Sequence, residues 1–213
     1  MRKCYHPRRQ TSVRMHPARD VSPPVPGKLR IIGGSLRGSK LAIPEAPGLR
    51  PTPDRVRETL FNWLMPVIDG ARCLDLFAGT GALGIEALSR GAAWSDFVET
   101  DPRLAQALRE NLARLKQTQA AVRAGNALML LDVPPAAVYD IVFVDPPFPA
   151  ALWEPAASAL ESHGWLRDGA FVYLEMPAQA HPALPPNWQL YRESHAGAVR
   201  YALYRRHAAS AKL

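Results

Sequence analysis

Asp145-Pro146-Pro147-Phe148 stands directly after the apolar run Tyr139-Asp140-Ile141-Val142-Phe143-Val144. An acid, two prolines and an aromatic ring at the exit of a buried strand make a stiff pocket edge floored with acceptors. Prolines hold the backbone and offer carbonyls without competing N–H donors. Such an edge suits a flat nitrogen compound such as a nucleobase, whose amino group needs acceptors and whose ring needs a stacking partner. The chemistry expected is methyl transfer to an exocyclic amine. That nitrogen is a poor nucleophile because its lone pair is delocalised into the ring, so it must pyramidalise to attack. Asp145 and the Pro146 carbonyl are expected to accept its two N–H bonds and stabilise that geometry. Phe148 is expected to stack on the base.

A methyl donor needs its own place, and Gly79-Thr80-Gly81-Ala82-Leu83-Gly84 provides one. It is a literal G-x-G-x-x-G between a strand and a helix, with Glu99 twenty residues beyond Gly79. That pattern is the dinucleotide fingerprint, and a NAD oxidoreductase is one reading of it. Asp75, four positions before the first glycine, argues the other way. A carboxylate there opposes a pyrophosphate and favours the sulfonium and ammonium of S-adenosylmethionine. Glu99 suits the ribose hydroxyls of either cofactor. Asn126 faces two readings, an adenine contact or a helix cap before Ala127. A ligand-free strand-to-helix turn is the plain alternative for the glycines.

The elements that must carry these residues alternate. Strands are expected at Arg72 to Phe77, Trp94 to Glu99, Ala121 to Arg123, Tyr139 to Val144 and Ala170 to Glu175. Helices are expected at Ala82 to Ser89, Pro102 to Lys116 and Ala151 to Ser162. Trp188 to Tyr191 and Val199 to Tyr204 read as a closing antiparallel pair. Alternation of this kind implies a parallel sheet covered on both faces. Upstream, Leu29–Ile32 and Lys40–Ile43 flank a glycine-rich turn, a basic hairpin. A helix then opens at Thr52-Pro53-Asp54, with Thr52 expected as its cap.

Charge divides sharply along the chain. Residues 1–57 carry 13 Lys/Arg against three acids, and residues 58–213 carry 13 against 16. The formal +7 therefore comes from the first quarter, which reads as a polyanion-binding element. Residues 1–28, rich in proline and arginine, read as a disordered extension. No apolar stretch approaches the ~18–20 residues that span a bilayer, and no secretory leader is evident. Cys4 and Cys73 are too far apart and too unlike in context to imply a disulfide framework, so a cytoplasmic protein is expected. The six histidines fall at no metal spacing, and no metal is expected.

Arg30-Ile31-Ile32-Gly33-Gly34, Gly48 to Thr52, Asp54 to Leu64, Leu74 to Gly84, Val142 to Phe148 and Asn187-Trp188 together resemble one group. It is the bacterial small-subunit ribosomal RNA guanine-N2-methyltransferases (the D type), within the class I S-adenosylmethionine-dependent methyltransferases. The likeness covers about residues 29–206. It implies a Rossmann-like α/β domain whose seven-stranded, mostly parallel sheet ends in an antiparallel strand. A basic hairpin and helix (29–69) precede a catalytic core (70–206), and a short tail (207–213) follows. It also implies cofactor contacts at Asp75, Phe77, Gly79, Gly81, Glu99, Asn126 and Ala127, with Thr52 and Arg55 closing over the site. Arg30, Arg37, Lys40, Arg50 and Arg57 would hold RNA. The partner implied is 16S ribosomal RNA, in a small-subunit particle, met by a monomer. Alternative acceptors are adenine or cytosine in nucleic acid, or a protein glutamine; a non-catalytic RNA-binding protein is a further reading.

Overall fold

In a computed structural model, Met1 and residues 29–44 and 52–208 are described. The expectations for residues 2–28, for Gly48 to Pro51 including Arg50, and for 209–213 lie outside the described residues.

The hairpin is formed by β1 (Leu29–Arg30) and β2 (Lys40–Leu41), paired antiparallel. Helix α1 (Asp54–Leu64) leads into β3 (Arg72–Asp75), α2 (Ala82–Ser89), β4 (Trp94–Glu99) and α3 (Pro102–Arg114). β5 (Ala120–Ala124), α4 (Ala127–Leu131), β6 (Tyr139–Val144) and α5 (Trp153–Ser162) follow. β7 (Leu166–Pro177), β8 (Trp188–Ala196) and β9 (Val199–Arg206) close the chain. The seven-stranded sheet has the order β5-β4-β3-β6-β7-β9-β8. Its first five strands run parallel, and β9 runs antiparallel to both neighbours.

β6 shows why its sequence is almost wholly apolar. Val142 and Val144 face one layer with α4 and α5, whereas Ile141 and Phe143 face the other with α1 and α2. A strand covered on both faces has no side to leave polar. Strand order reverses between β3 and β6, so a crevice opens beyond their carboxyl ends, where open α/β sheets place ligands.

Two expectations at α1 are corrected. Pro53, not Thr52, is the N-cap residue, and it makes no side-chain cap bond. The Thr52 hydroxyl is instead turned to Asp145. Arg57 is not an RNA contact, because its side chain is 0% exposed. It lies in the apolar stripe with Leu60, Phe61 and Leu64. Its guanidinium donates to the Thr52 and Arg30 carbonyls and to Asp54, and it lies 3.7 Å from Glu86.

Glu86 is the other half of this buried pair. Its carboxylate accepts from Ile32 N and Gly33 N, both at 2.8 Å, and from Arg90 Nε at 2.8 Å. The hairpin is thereby fixed on α2. Gly34 sits so close that a Cβ would stand 1.8 Å from the Ser89 carbonyl oxygen, with φ +73°; only glycine fits there. Asn111 of α3 exchanges two bonds with Ala42, clamping the far end of the hairpin.

Removing one member of a buried ion pair strands the other charge and typically costs about 3–5 kcal/mol. Glu86→Ala should therefore lower unfolding free energy by about that amount, read from the urea midpoint. An unchanged midpoint would mean that the hairpin is not held by this carboxylate.

Candidate active site

Four carboxylates line the crevice. Asp75 and Glu99 end β3 and β4, Asp145 follows β6, and Glu175 lies near the end of β7. These strands are consecutive neighbours in the sheet, in the order β4-β3-β6-β7. Side chains alternate along a strand. Cys73, Phe143 and Tyr173 belong to the layer under α1 and α2, and Phe97 packs with α2 as well. Each acid stands two residues beyond one of these, so all four share that face.

Their partners differ. Asp75 Oδ2 accepts from the Gly84 N–H at 3.0 Å, at the opening of α2 where the helix dipole favours an anion. Glu99 accepts from Gly79 N at 2.7 Å and from Asp101 N at 2.8 Å, so one carboxylate fixes both the glycine turn and the entry to α3. Gly79 and Gly81 take φ of 51° and 75°, left-handed backbone that glycine adopts without steric cost. Asn126 caps α4, its Oδ1 accepting from Leu128 N and Met129 N, and its amide nitrogen makes no part of that cap. Phe77 is half-buried beside the turn, and Ala127 is buried behind Asn126.

The acceptor loop is built as a rigid ledge. Pro146 is buried, Pro147 is exposed, and a single 3-10 turn spans Phe148–Ala150. Among the described residues no donor reaches the Pro146 carbonyl. Phe148 leans on Trp153 with ring centroids 6.0 Å apart and the planes inclined at 52°. The Thr52 hydroxyl donates to Asp145 Oδ2 at 3.3 Å. Arg55 is exposed on the first turn of α1, and Arg30, Arg37 and Lys40 are exposed on the hairpin. Arg30 pairs with Asp54 at 3.2 Å.

Three of these acids, Asp75, Asp145 and Glu175, are raised above the ordinary carboxylate range. Burial, and then the charge of Glu99, push Asp75 up to about 7 against the opposing Gly84 N–H. Burial, then Glu175 and Asp75, raise Asp145 well above the usual carboxylate range. Burial raises Glu175, and hydrogen bonds from Tyr173 and Thr52 oppose it. Such a site fits a cationic guest, which would relieve the repulsion. Among the described residues no group of three or more His, Cys, Asp or Glu is placed to hold a metal ion.

The family described as conserved hypothetical protein 95 matches residues 29–205. The "Ribosomal RNA small subunit methyltransferase D" of Escherichia coli is 53% identical over 183 residues, covering 85% of this chain and 92% of the relative. That of Haemophilus influenzae is 46% identical over 186 residues, covering 86% and 96%. The chain belongs to the ribosomal RNA small subunit methyltransferase D family. The solved structure of Escherichia coli yhhF superposes with a TM-score of 0.81 at 50% identity, over 86% of this chain and all of that one. Membership of the D family removes the dinucleotide oxidoreductase reading, as the carboxylate of Asp75 argues independently.

Glu175 escapes a reading of motifs, and so does the contact of Thr52 with Asp145. Glu175 carries the same signal as Asp75 and Glu99, an acid after a run of apolar strand residues, but no motif marks it. Thr52 looks like a helix cap until its partner is seen.

Asp75 has a measurable consequence. In the folded chain its carboxyl keeps a proton to about pH 7, whereas an unperturbed one releases it near 3.8. Unfolding then releases a proton between those values, so the contribution of Asp75 to stability falls as pH rises from about 4 to about 7. Asp75→Asn keeps an acceptor for Gly84 and removes the titration. Urea midpoints should show the variant gaining on the wild type across that window, by up to roughly 4 kcal/mol. Parallel pH curves would show that Asp75 ionises freely.

Proposed function

We propose that this ribosomal RNA methyltransferase moves a methyl group from S-adenosylmethionine to the exocyclic 2-amino group of a guanine in 16S RNA. The observation that carries the reading is the Asp145–Phe148 ledge at the same sheet edge as Asp75 and Glu99. S-adenosylmethionine would supply an electrophilic methyl on a sulfonium. Asp75, Glu99, the turn at Gly79 and Gly81, Phe77, Asn126 and Ala127 would hold it, with Thr52 and Arg55 over the entrance. The site offers that cation four acids and a turn with glycine at positions 79 and 81.

Asp145 and the Pro146 carbonyl accept the two amine N–H bonds, which favours a pyramidal nitrogen and the positive charge growing on it. Phe148 stacks on the base, worth ~1–3 kcal/mol by analogy with single-strand binding. Pro147 stiffens the turn that presents both. Holding amine and methyl in line supplies much of the remaining acceleration, since oriented reactants reach effective molarities of ~10⁵–10⁸ M. A paired guanine must leave its stack first. Arg30, Arg37 and Lys40 then hold the flanking phosphates. A monomer acting in the cytoplasm on a small-subunit particle fits this reading; no described helix is long and apolar enough to cross a membrane.

Incubation with labelled donor and either small ribosomal particles or naked 16S RNA, both from a strain lacking the gene, tests the reaction. Nuclease digestion and mass spectrometry should place the label on guanine N2, and Asp145→Ala should lower the rate by at least about 10²-fold. Label on adenine or cytosine, or on neither substrate, would overturn the assignment of the base.

The hairpin makes a separate prediction. Each lost phosphate contact lowers the salt slope of binding by about one. Arg37→Ala/Lys40→Ala should weaken RNA binding and flatten its salt dependence while leaving affinity for the donor unchanged. A donor affinity that falls in parallel would place these cations in the cofactor site.

A further inference from the structure

Most arginines at the closing edge of the sheet are committed to acids. Arg167 pairs with Asp140 at 2.8 Å, Arg206 with Glu161 at 2.8 Å, and Arg200 lies 3.8 Å from Glu193. Arg192 of β8 and Arg205 of β9 differ. Both are exposed, and neither joins such an ion pair among the described residues. Each lies instead on an aromatic ring. The Arg192 guanidinium carbon is 5.0 Å from the centre of the Tyr191 ring, and that of Arg205 is 5.9 Å from the centre of Phe171. The two rings meet edge to face, with centroids 5.2 Å apart and planes at 71°. An arginine held by its flat face keeps its N–H donors for an incoming acceptor, and its long side chain is already ordered. The backbone brings this about. Leu190 stands opposite Tyr204 and Arg192 opposite Leu203, so β8 carries one extra residue, Tyr191, at this point. Simple alternation would put Arg192 on the face of Leu190. The bulge turns it to the face of Leu203, in the layer that also holds Phe171, and bulges re-aim side chains in this way.

We propose that Arg192 and Arg205 form a second RNA-binding site, a phosphate clamp at the sheet edge that grips ribosomal RNA away from the nucleotide being methylated. It requires only that the substrate is ribosomal RNA, and so does not depend on which base is modified. Every nucleotide of that substrate brings a phosphate, the acceptor that two ordered guanidinium groups fit best. The hairpin is fixed on α2 through Glu86. Helices α1 and α2 cover the same layer that carries Leu203 and Phe171. Two basic regions therefore stand on one side of the sheet. Helix α2 packs over β3 and β4, whereas the clamp lies on β9 and the edge strand β8. Four strand spacings separate β3 from β8, which is roughly 20 Å. Contacts that far apart suit a folded RNA and not a few nucleotides around the acceptor base.

Arg192→Gln/Arg205→Gln removes both charges and keeps side-chain stems against the rings. Binding of the full-length protein to naked 16S RNA and to small ribosomal particles, both from a strain lacking the gene, is measured over a potassium chloride series. On both substrates the variant should bind about tenfold more weakly at low salt, and the slope of log affinity against log salt should fall by roughly 1.4–1.8. KM for RNA should rise in step, while kcat and affinity for S-adenosylmethionine stay within about twofold of wild type. Arg192→Lys/Arg205→Lys should recover most of the slope, because a phosphate contact needs the charge. If the glutamine pair does not fold, Arg192→Gln decides alone, with a slope lower by roughly 0.7–0.9. A wild-type slope on naked RNA in the folded variant would overturn the proposal. So would a lysine pair as weak as the glutamine pair, which would make the effect one of packing. Weaker binding to particles alone would assign the two arginines to a ribosomal protein and overturn it equally. Methylation of a base other than guanine would leave the clamp standing, so the two readings fail separately.

Discussion

The Glu86–Arg57 pair is the contact on which the rest of the arrangement depends. Both side chains are fully buried, and charges taken out of water stay folded only if their hydrogen-bonding capacity is met. Main chain meets most of it, while Arg57 Nη1 has no hydrogen bond among the described residues and lies 3.7 Å from Glu86. Glu86 is satisfied by the hairpin's amides and Arg57 by the carbonyls of Arg30 and Thr52. The requirement to solvate two buried ions therefore draws three segments distant in sequence to one place. Thr52 is one of the points drawn in, and its hydroxyl reaches Asp145. A run of polar contacts joins the hairpin to the Asp145 carboxylate.

The charge of the chain is divided in space as it is in sequence. Cations stand on the hairpin surface, and acids gather at the ends of β4, β3, β6 and β7. A polyanion is attracted to the first and repelled by the second. The crevice admits a neutral base edge or a cation more readily than a phosphate, which is the discrimination an RNA-modifying enzyme needs. On the proposed reading, recognition of the backbone and chemistry on the base would fall to regions of opposite sign.

Much of this was legible before the fold was known. β4, α2 and β6 begin and end where the pattern of apolar residues and glycines puts them, because strands and helices buried on every side leave a continuous apolar record. β7, β8 and β9 run further than their apolar stretches. Apart from Leu166 and Met176, their extra residues are exposed or half-buried and are held by ladder bonds that any side chain permits. α4 was foreseen only as a possible cap at Asn126, since five residues are too few to show a helical period. Arg57 was read by its charge, although its spacing with Leu60, Phe61 and Leu64 puts it in the buried stripe. Thr52 depends on a partner 93 residues away, and no local pattern records such a contact.

The row of acids also bears on turnover. The donor arrives carrying a sulfonium, and the by-product leaves as a thioether with one positive charge fewer. A crevice whose carboxyls are raised by burial first and by one another's charge second gains most from a cationic guest, and that gain disappears at the moment of transfer. On the proposed reading, spent cofactor would therefore be held less tightly than fresh, and the same electrostatics that load the site would also help to empty it.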